Sequence, residues 1–246
     1  MPATEFAPGL TIQNITAPQK LSDYKLIAFD MDSTLITIEC IDEIADATGK
    51  KAEVAAITEA TMRGEITDFK DSLRQRVGKL VGVTEADMQR VLQERLQLSP
   101  GAATLVKAAK AAGLKVLLVS GGFTFFAEHV RKLLDIDFVR ANVLEVQNGA
   151  LTGGLIEQSW GVICDGAEKR RTLLEVASLL GIEPAQCIAV GDASNDIPMM
   201  QTATHAVAVE NAIDRVREMA DEVIGCNTSD CVARWILNDI ADTINH

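Results

Sequence analysis

No C-x-x-C pair, no histidine cluster and no long apolar run occurs in this sequence. The five cysteines (Cys40, Cys164, Cys187, Cys226 and Cys231) are odd in number and widely spaced, so they argue against a disulfide framework and read as reduced cytosolic thiols. His129, His205 and His246 show no metal-ligand spacing. Apolar stretches such as residues 114–119 are far too short to span a bilayer. Residues 1–10 have neither the basic start nor the apolar segment of a secretory signal, and the expectation is a cytoplasmic protein with no membrane partner. Basic residues are scarce as well: 23 Lys and Arg against 35 Asp and Glu leave a net charge of −12. A body of that sign repels phosphate backbones, which argues against nucleic acid as a partner; any site for a phosphorylated small molecule must be locally positive.

What the chain does have is 48% hydrophobic content with 24% charged residues, a globular composition long enough for one or two domains. Residues 1–22 carry Pro2, Pro8, Gly9 and Pro18 without a sustained period and read as an N-terminal tail. A first strand is expected over 25–29. Residues 36–98 then read as helices in series (39–48, 51–63, 68–80 and 84–96), punctuated by Gly49, Gly64 and Gly82. Ser99-Pro100-Gly101 marks a return to alternation. The pattern predicts a helix over 102–112, a strand over 114–119, a Ser120-Gly121-Gly122 turn, and a helix ending near 134. A hairpin (142–146 and 151–155) follows, joined through Asn148-Gly149. Beyond it come a helix over 167–180, a strand over 187–190, a helix over 197–202, short strands over 206–209 and 222–224, and a closing helix over 231–244. Such alternation predicts an α/β fold, a mostly parallel sheet with helices on both faces, built from 23–35 and 99–246, with an all-helical domain over 36–98.

Three predicted strand ends are polar: Asp30/Asp32, Ser120-Gly121-Gly122, and Gly191-Asp192 with Asn195 and Asp196 nearby. Parallel strands bring these ends to the sheet edge where open α/β folds bind ligands. Asp-x-Asp alone also suits a plain strand-to-loop turn. Together with the other two ends, the pair suits phosphoryl chemistry. Asp30 is placed to attack phosphorus, and Asp32 to protonate the leaving oxygen and then deprotonate water. Aspartates without His or Cys partners favour a hard cation, and Mg²⁺ is the expected cofactor, with Asp30, Asp32 and Asp192 as its ligands. Asp196 suits either an orienting role or an N-cap of the following helix. Ser120-Gly121-Gly122 taken alone suits a plain strand-to-helix turn better than a ligand site, although glycines before a helix also favour an anion; a cation is still required for the transferring phosphoryl group.

Asp30-Met31-Asp32-Ser33-Thr34, Ser120-Gly121-Gly122, Lys169 and Gly191-Asp192-Ala193-Ser194-Asn195-Asp196 together resemble the motifs of the haloacid dehalogenase superfamily of phosphohydrolases. That resemblance implies a Rossmann-like core, a small helical (C1-type) cap over 36–98, and Lys169 as a catalytic residue beside Asp30 and Asp32. Glu39-Cys40-Ile41-Asp42-Glu43-Ile44-Ala45, the run over 57–65, Asp68-Phe69 and Ser72-Leu73-Arg74-Gln75-Arg76-Val77 resemble the phosphoserine phosphatases within it. By that resemblance Glu39 and Arg76 contact the ammonium and carboxylate of O-phosphoserine, and Met62 and Phe69 line the pocket. Ser120, Gly121, Gly122 and Asn195, with Lys169, face the phosphate. The implied reaction is hydrolysis of O-phospho-L-serine to L-serine and phosphate, the last step of serine biosynthesis, by a monomer or homodimer. The alternative is a phosphatase or phosphotransferase for another small phosphomonoester. Read without the resemblance, Arg76 also suits a helix ion pair, and Glu39 a first-turn acid. Ala193 stands where the family pattern has glycine; if that position needs a positive φ, the loop is strained.

Overall fold

The computed structural model describes residues 23–62 and 65–224 together with two short strands at 4–7 and 10–12. Among the described residues nine strands form one sheet: β1 (Thr4–Ala7), β2 (Leu10–Ile12), β3 (Leu26–Phe29), β4 (Lys115–Phe123), β5 (Phe138–Gln147), β6 (Ala150–Ile156), β7 (Cys187–Gly191), β8 (His205–Val209) and β9 (Glu222–Ile224). Their order is β1-β2-β9-β8-β7-β3-β4-β5-β6. The run from β9 to β5 is parallel, while β6 and β2 join antiparallel at its two sides.

Every residue of the central strand β3 is buried, as expected of a strand covered on both faces. Its side chains alternate between two cores. Ile27 and Phe29 join the cluster that holds Leu105, Val106, Phe126 and Val130, from α5 (Ala102–Ala111) and α6 (Thr124–Leu134). Leu26 and Ala28 join the cluster of Leu173, Met199 and Val216, from α7 (Gly166–Leu180), α8 (Ile197–Met200) and α9 (Asp214–Met219).

Between β3 and α5 come α1 (Cys40–Ala47), α2 (Lys51–Met62), α3 (Phe69–Gly78) and α4 (Glu85–Glu94). Local chemistry sets their starts. Asp68 accepts from the Lys70 amide, and Thr84 and Asp87 form a reciprocal capping box. The segments on either side of this layer pair where they meet the sheet: Ile36 bridges Leu98, and Thr37 N–H donates to Gln97 O at 3.0 Å. A second attachment ties the loop before α4 to β6, where Leu151 N–H donates to Val83 O at 2.8 Å.

Three features differ from the sequence expectation. Residues 4–7 and 10–12, expected within a tail, are strands that cover what would otherwise be the free edge of β9. Seven residues around Pro8-Gly9 carry too little periodicity to show this. Ser120-Gly121-Gly122 lies inside β4 and not in a turn after it. The short helix α9 was not anticipated. Asn148 and Gly149 do form the hairpin turn, both at positive φ (53° and 77°), as a two-residue turn matched to strand twist requires. The helix expected over 231–244 lies outside the described residues.

Candidate active site

The carboxyl ends of β7, β3 and β4 are neighbours, with Phe29 in register with both Val190 and Leu118. Asp30 is the next residue; its amide donates to Val190 O at 3.0 Å, so its backbone is still held by the sheet. Met31 is fully buried in the core, and the period of two turns Asp30 and Asp32 alike into a cavity of about 180 Å³. Beyond Asp32 the chain doubles back: Ser33 takes a left-handed φ of 54°, and the amides of Thr34, Leu35 and Ile36 all donate to Met31 O.

Lys169, on α7, has no solvent exposure. Its ammonium lies 2.7 Å from Asp30 Oδ1 and 2.6 Å from Asp196 Oδ1. Asp196 also accepts from the amides of Asp192 and Ala193 on Oδ2, both at 3.0 Å. Both of its oxygens are thus occupied, and its side chain does not cap α8; it anchors the lysine and shapes the loop. Asp192 Oδ1 accepts from Thr34 Oγ1 at 2.8 Å. Ala193 sits at φ −120°, an ordinary extended conformation, so the replacement of glycine there carries no backbone strain.

Carboxylate oxygens of Asp30, Asp192 and Asp196 all lie within 4.8 Å of one another. Three acids face one ammonium, and the electrostatics show the imbalance. Burial, then the Asp196 charge, hold Asp30 well above the usual carboxylate range against the opposing pull of Lys169. Burial and Asp196 push Asp192 up to about 7. Burial alone would lower Lys169, but Asp196 and Asp30 outweigh it and hold the ammonium charged. An all-oxygen acidic set with this deficit of positive charge fits a hard divalent cation. Both oxygens of Asp196 are engaged, whereas Asp30 and Asp192 each have one oxygen engaged, Oδ1, and keep the other to offer a cation. Asp32, expected among the ligands, keeps its carboxylate outside this group; it accepts from the Cys40 amide at 3.3 Å, at the start of α1. Burial, then the neighbouring Glu39, push the Asp32 carboxyl up to about 7.

The other end of the cavity comes from α1, α3 and the segment before α1. Glu39 accepts from Ser33 Oγ at 2.6 Å, and burial of its carboxylate raises its pKa. Arg76 faces it; its Nε is buried and has no hydrogen-bond partner among the described residues. Phe69, Leu73 and Ile41 supply apolar wall. The bulk allowed at the third strand end is narrow. A Cβ on Gly122 would stand 2.6 Å from Asp32 Oδ2, and one on Gly121 3.1 Å from the Phe69 ring. Ser120 and Asn195 also line the cavity, whereas Lys169 lies behind it. Met62 ends α2, and its side chain is outside the described residues. Sequence reasoning assigned no role to Thr34, which steadies Asp192. It also passed over Asn142, a fully buried polar residue beside Gly121.

These carboxylates, lysine and glycine strand end, set on a parallel sheet under a helical layer, define a class. The chain belongs to the haloacid dehalogenase-like hydrolase family, whose model matches residues 24–204. Its relatives narrow this further. The chain is 64% identical over 221 residues to the phosphoserine phosphatase of Albidiferax ferrireducens, covering 90% of this chain and 93% of that protein. It is 62% identical over 220 residues to the phosphoserine phosphatase of Polaromonas sp., covering 89% and 93%. A solved structure of a phospho-aspartyl intermediate analogue of phosphoserine phosphatase is similar with a TM-score of 0.76 at 35% identity, covering 87% of this chain and 98% of that one.

Proposed function

We propose that the protein is a phosphoserine phosphatase that hydrolyses O-phospho-L-serine to L-serine and phosphate, the last step of serine biosynthesis. The observation that carries the substrate assignment is a single small cavity with a phosphoryl-transfer set at one end and an acid–guanidinium pair at the other. Phosphoserine carries an ammonium, a carboxylate and a phosphate. Glu39 pairs with the first. Arg76, whose buried Nε has no partner among the described residues, grips the second in a fork that lysine could not reproduce.

Asp30 attacks phosphorus, forming an acyl-phosphate as the bond to the seryl oxygen breaks. Asp32 gives that oxygen its proton. It then takes a proton from water, which attacks the same phosphorus and returns Asp30 as a free carboxylate. With a pKa near 7 it is suited to both roles. Lys169 holds Asp30 in place and balances charge gathering on the phosphoryl group. Ser120, Gly121, Gly122 and Asn195 orient the phosphate. Asp30 and Asp192, with a main-chain carbonyl and water completing the oxygen set, would hold Mg²⁺, which when bound supplies the positive charge that offsets repulsion between Asp30 and the phosphate. The helical layer, as a cap over 36–98, closes on the small substrate and excludes bulk water. No helix of the described residues is long and apolar enough to cross a membrane. A cytoplasmic enzyme, monomeric or homodimeric and without nucleic-acid partners, is the setting we infer from its charge and thiols.

Phosphate release from a panel of phosphorylated metabolites, with and without Mg²⁺ and with added acceptor alcohols, tests the assignment. Phosphoserine should lead other monoesters by at least about tenfold in kcat/KM, the separation one charged contact supplies. Similar rates across the panel, or transfer to an alcohol in preference to water, would overturn it.

A further inference from the structure

β4 and β5 pair in parallel from Leu117↔Phe138 to Val119↔Arg140, and again at Phe123↔Asn142. Between those last two pairs Ser120, Gly121 and Gly122 stand opposite one residue, Ala141. The cavity wall is therefore a bulge, and a bulge takes backbone groups out of the ladder. Buried backbone groups need partners. One of them is supplied by a side chain. Asn142, fully buried on β5, donates from Nδ2 to Gly121 O at 2.6 Å. Its Oδ1 accepts from Cys164 N–H at 2.7 Å, in the loop that enters α7 and leads to Lys169.

We propose that Asn142 is a positioning residue for phosphate recognition: its amide replaces the missing ladder bond and fixes the Gly121–Gly122 peptide with the carbonyl turned away from the cavity. A trans peptide points its carbonyl and its N–H in opposite directions. With the Gly121 carbonyl held by Asn142, Gly122 N–H donates to Ser120 Oγ at 2.9 Å. The Ser120 hydroxyl hydrogen is then free to donate to an anion. A peptide between two glycines has the least resistance to rotation. Released from Asn142, it can turn its carbonyl oxygen toward the phosphate and repel it. The same side chain couples the bulge to the loop that leads into α7 and Lys169, so the cavity wall and the lysine behind it share one anchor.

The proposal rests on the phosphomonoester reading of the site, and its test separates the two. Asn142→Asp keeps the size and the acceptor for Cys164 N–H but places a second acceptor against Gly121 O. Asn142→Ser removes both bonds and leaves room for water. Orthophosphate binding is measured by calorimetry, L-serine by product inhibition, and turnover on phosphoserine in parallel. Asn142→Asp should weaken orthophosphate at least about tenfold and lower kcat/KM by a similar factor, with L-serine inhibition moving less than about twofold; Asn142→Ser should fall between it and the parent enzyme. Equal loss of orthophosphate and L-serine affinity, unchanged orthophosphate affinity, or failure of both variants to fold would overturn it, each marking Asn142 as a structural residue only. A parent enzyme that binds orthophosphate but hydrolyses no phosphoserine would sink the substrate assignment and leave the Asn142 test standing.

Discussion

The Lys70 ammonium, on α3 of the helical layer, lies 3.0 Å from the Asp165 carboxylate, just before α7. Asp165 is also the N-cap of α7, accepting from Glu168 N–H at 2.9 Å, four residues before Lys169. One carboxylate thus starts the helix that carries the buried lysine and holds the layer that covers it. Both side chains are partly exposed, so the pair is screened, and exposed pairs are worth about 0–1 kcal/mol. Lys70→Met should therefore change kcat and KM by no more than about fivefold, loosening substrate while hastening product release. Steady-state kinetics at low and high salt check this; the difference from the parent should shrink as salt rises.

If Asp30 is the nucleophile proposed above, Asp30→Asn should keep the fold and lose turnover by on the order of 10³-fold or more, because a neutral amide replaces the attacking carboxylate. Acid-quenched protein from a reaction with labelled substrate should carry label in the parent enzyme and none in the variant. Label retained in the variant would remove Asp30 from the role.

Arg76→Ala should cost phosphoserine about ten- to a hundredfold in kcat/KM, the range of a lost charge-assisted hydrogen bond. Phosphoethanolamine, which has the ammonium and phosphate but no carboxylate, should lose much less. Equal losses on both esters would make Arg76 a structural residue of α3.

Asp32 carries its proton below about 7, raised from 3.8 chiefly by burial. Phospho-enzyme formation needs the acid form and should slow as pH rises through that value. Hydrolysis of the phospho-enzyme needs the base form and should speed up over the same range. Rapid-quench measurement of the two half-reactions across neutral pH should give limbs of opposite slope.

Divalent metal should stabilise the fold in a pH-dependent way. Asp192 is raised from 3.8 to about 7, and Asp30 is raised too, so the unfolded chain releases these protons first. Their contribution to stability is complete below the unfolded value and is lost as pH rises through the folded one. A cation bound to the ionised pair offsets that loss. The rise in Tm with Mg²⁺ should be larger near about pH 8 than near about pH 5.5, and Asp192→Asn should remove most of the difference.

Much of this was legible in one dimension because the signals are local. A fully apolar strand that stops at Asp30 marks both the sheet and its ligand edge, and Asn148-Gly149 specifies its own turn. The spacing of two between Asp30 and Asp32 already puts both carboxylates on one side of the backbone. The covering of β9 by β2 was not legible, because its residues show no period and edge pairing is decided by whatever strand end lies free. Nor was the part played by Asn142, and for Asp196 the sequence offered an orienting role and a helix cap alike, between which only the structure chose. A buried amide and a carboxylate with both oxygens engaged have the same one-letter form as any polar loop residue.

What the order of residues determined by itself was the kind of chemistry and the place in the fold where it sits, since strand period, turn residues and carboxylate spacing act between near neighbours. The tertiary structure alone decided which acid is spent on Lys169, which remain for a cation, and which side chain holds the Gly121 carbonyl. Those choices depend on distances between segments far apart in the chain, and burial at the meeting point sets the charge each group can keep.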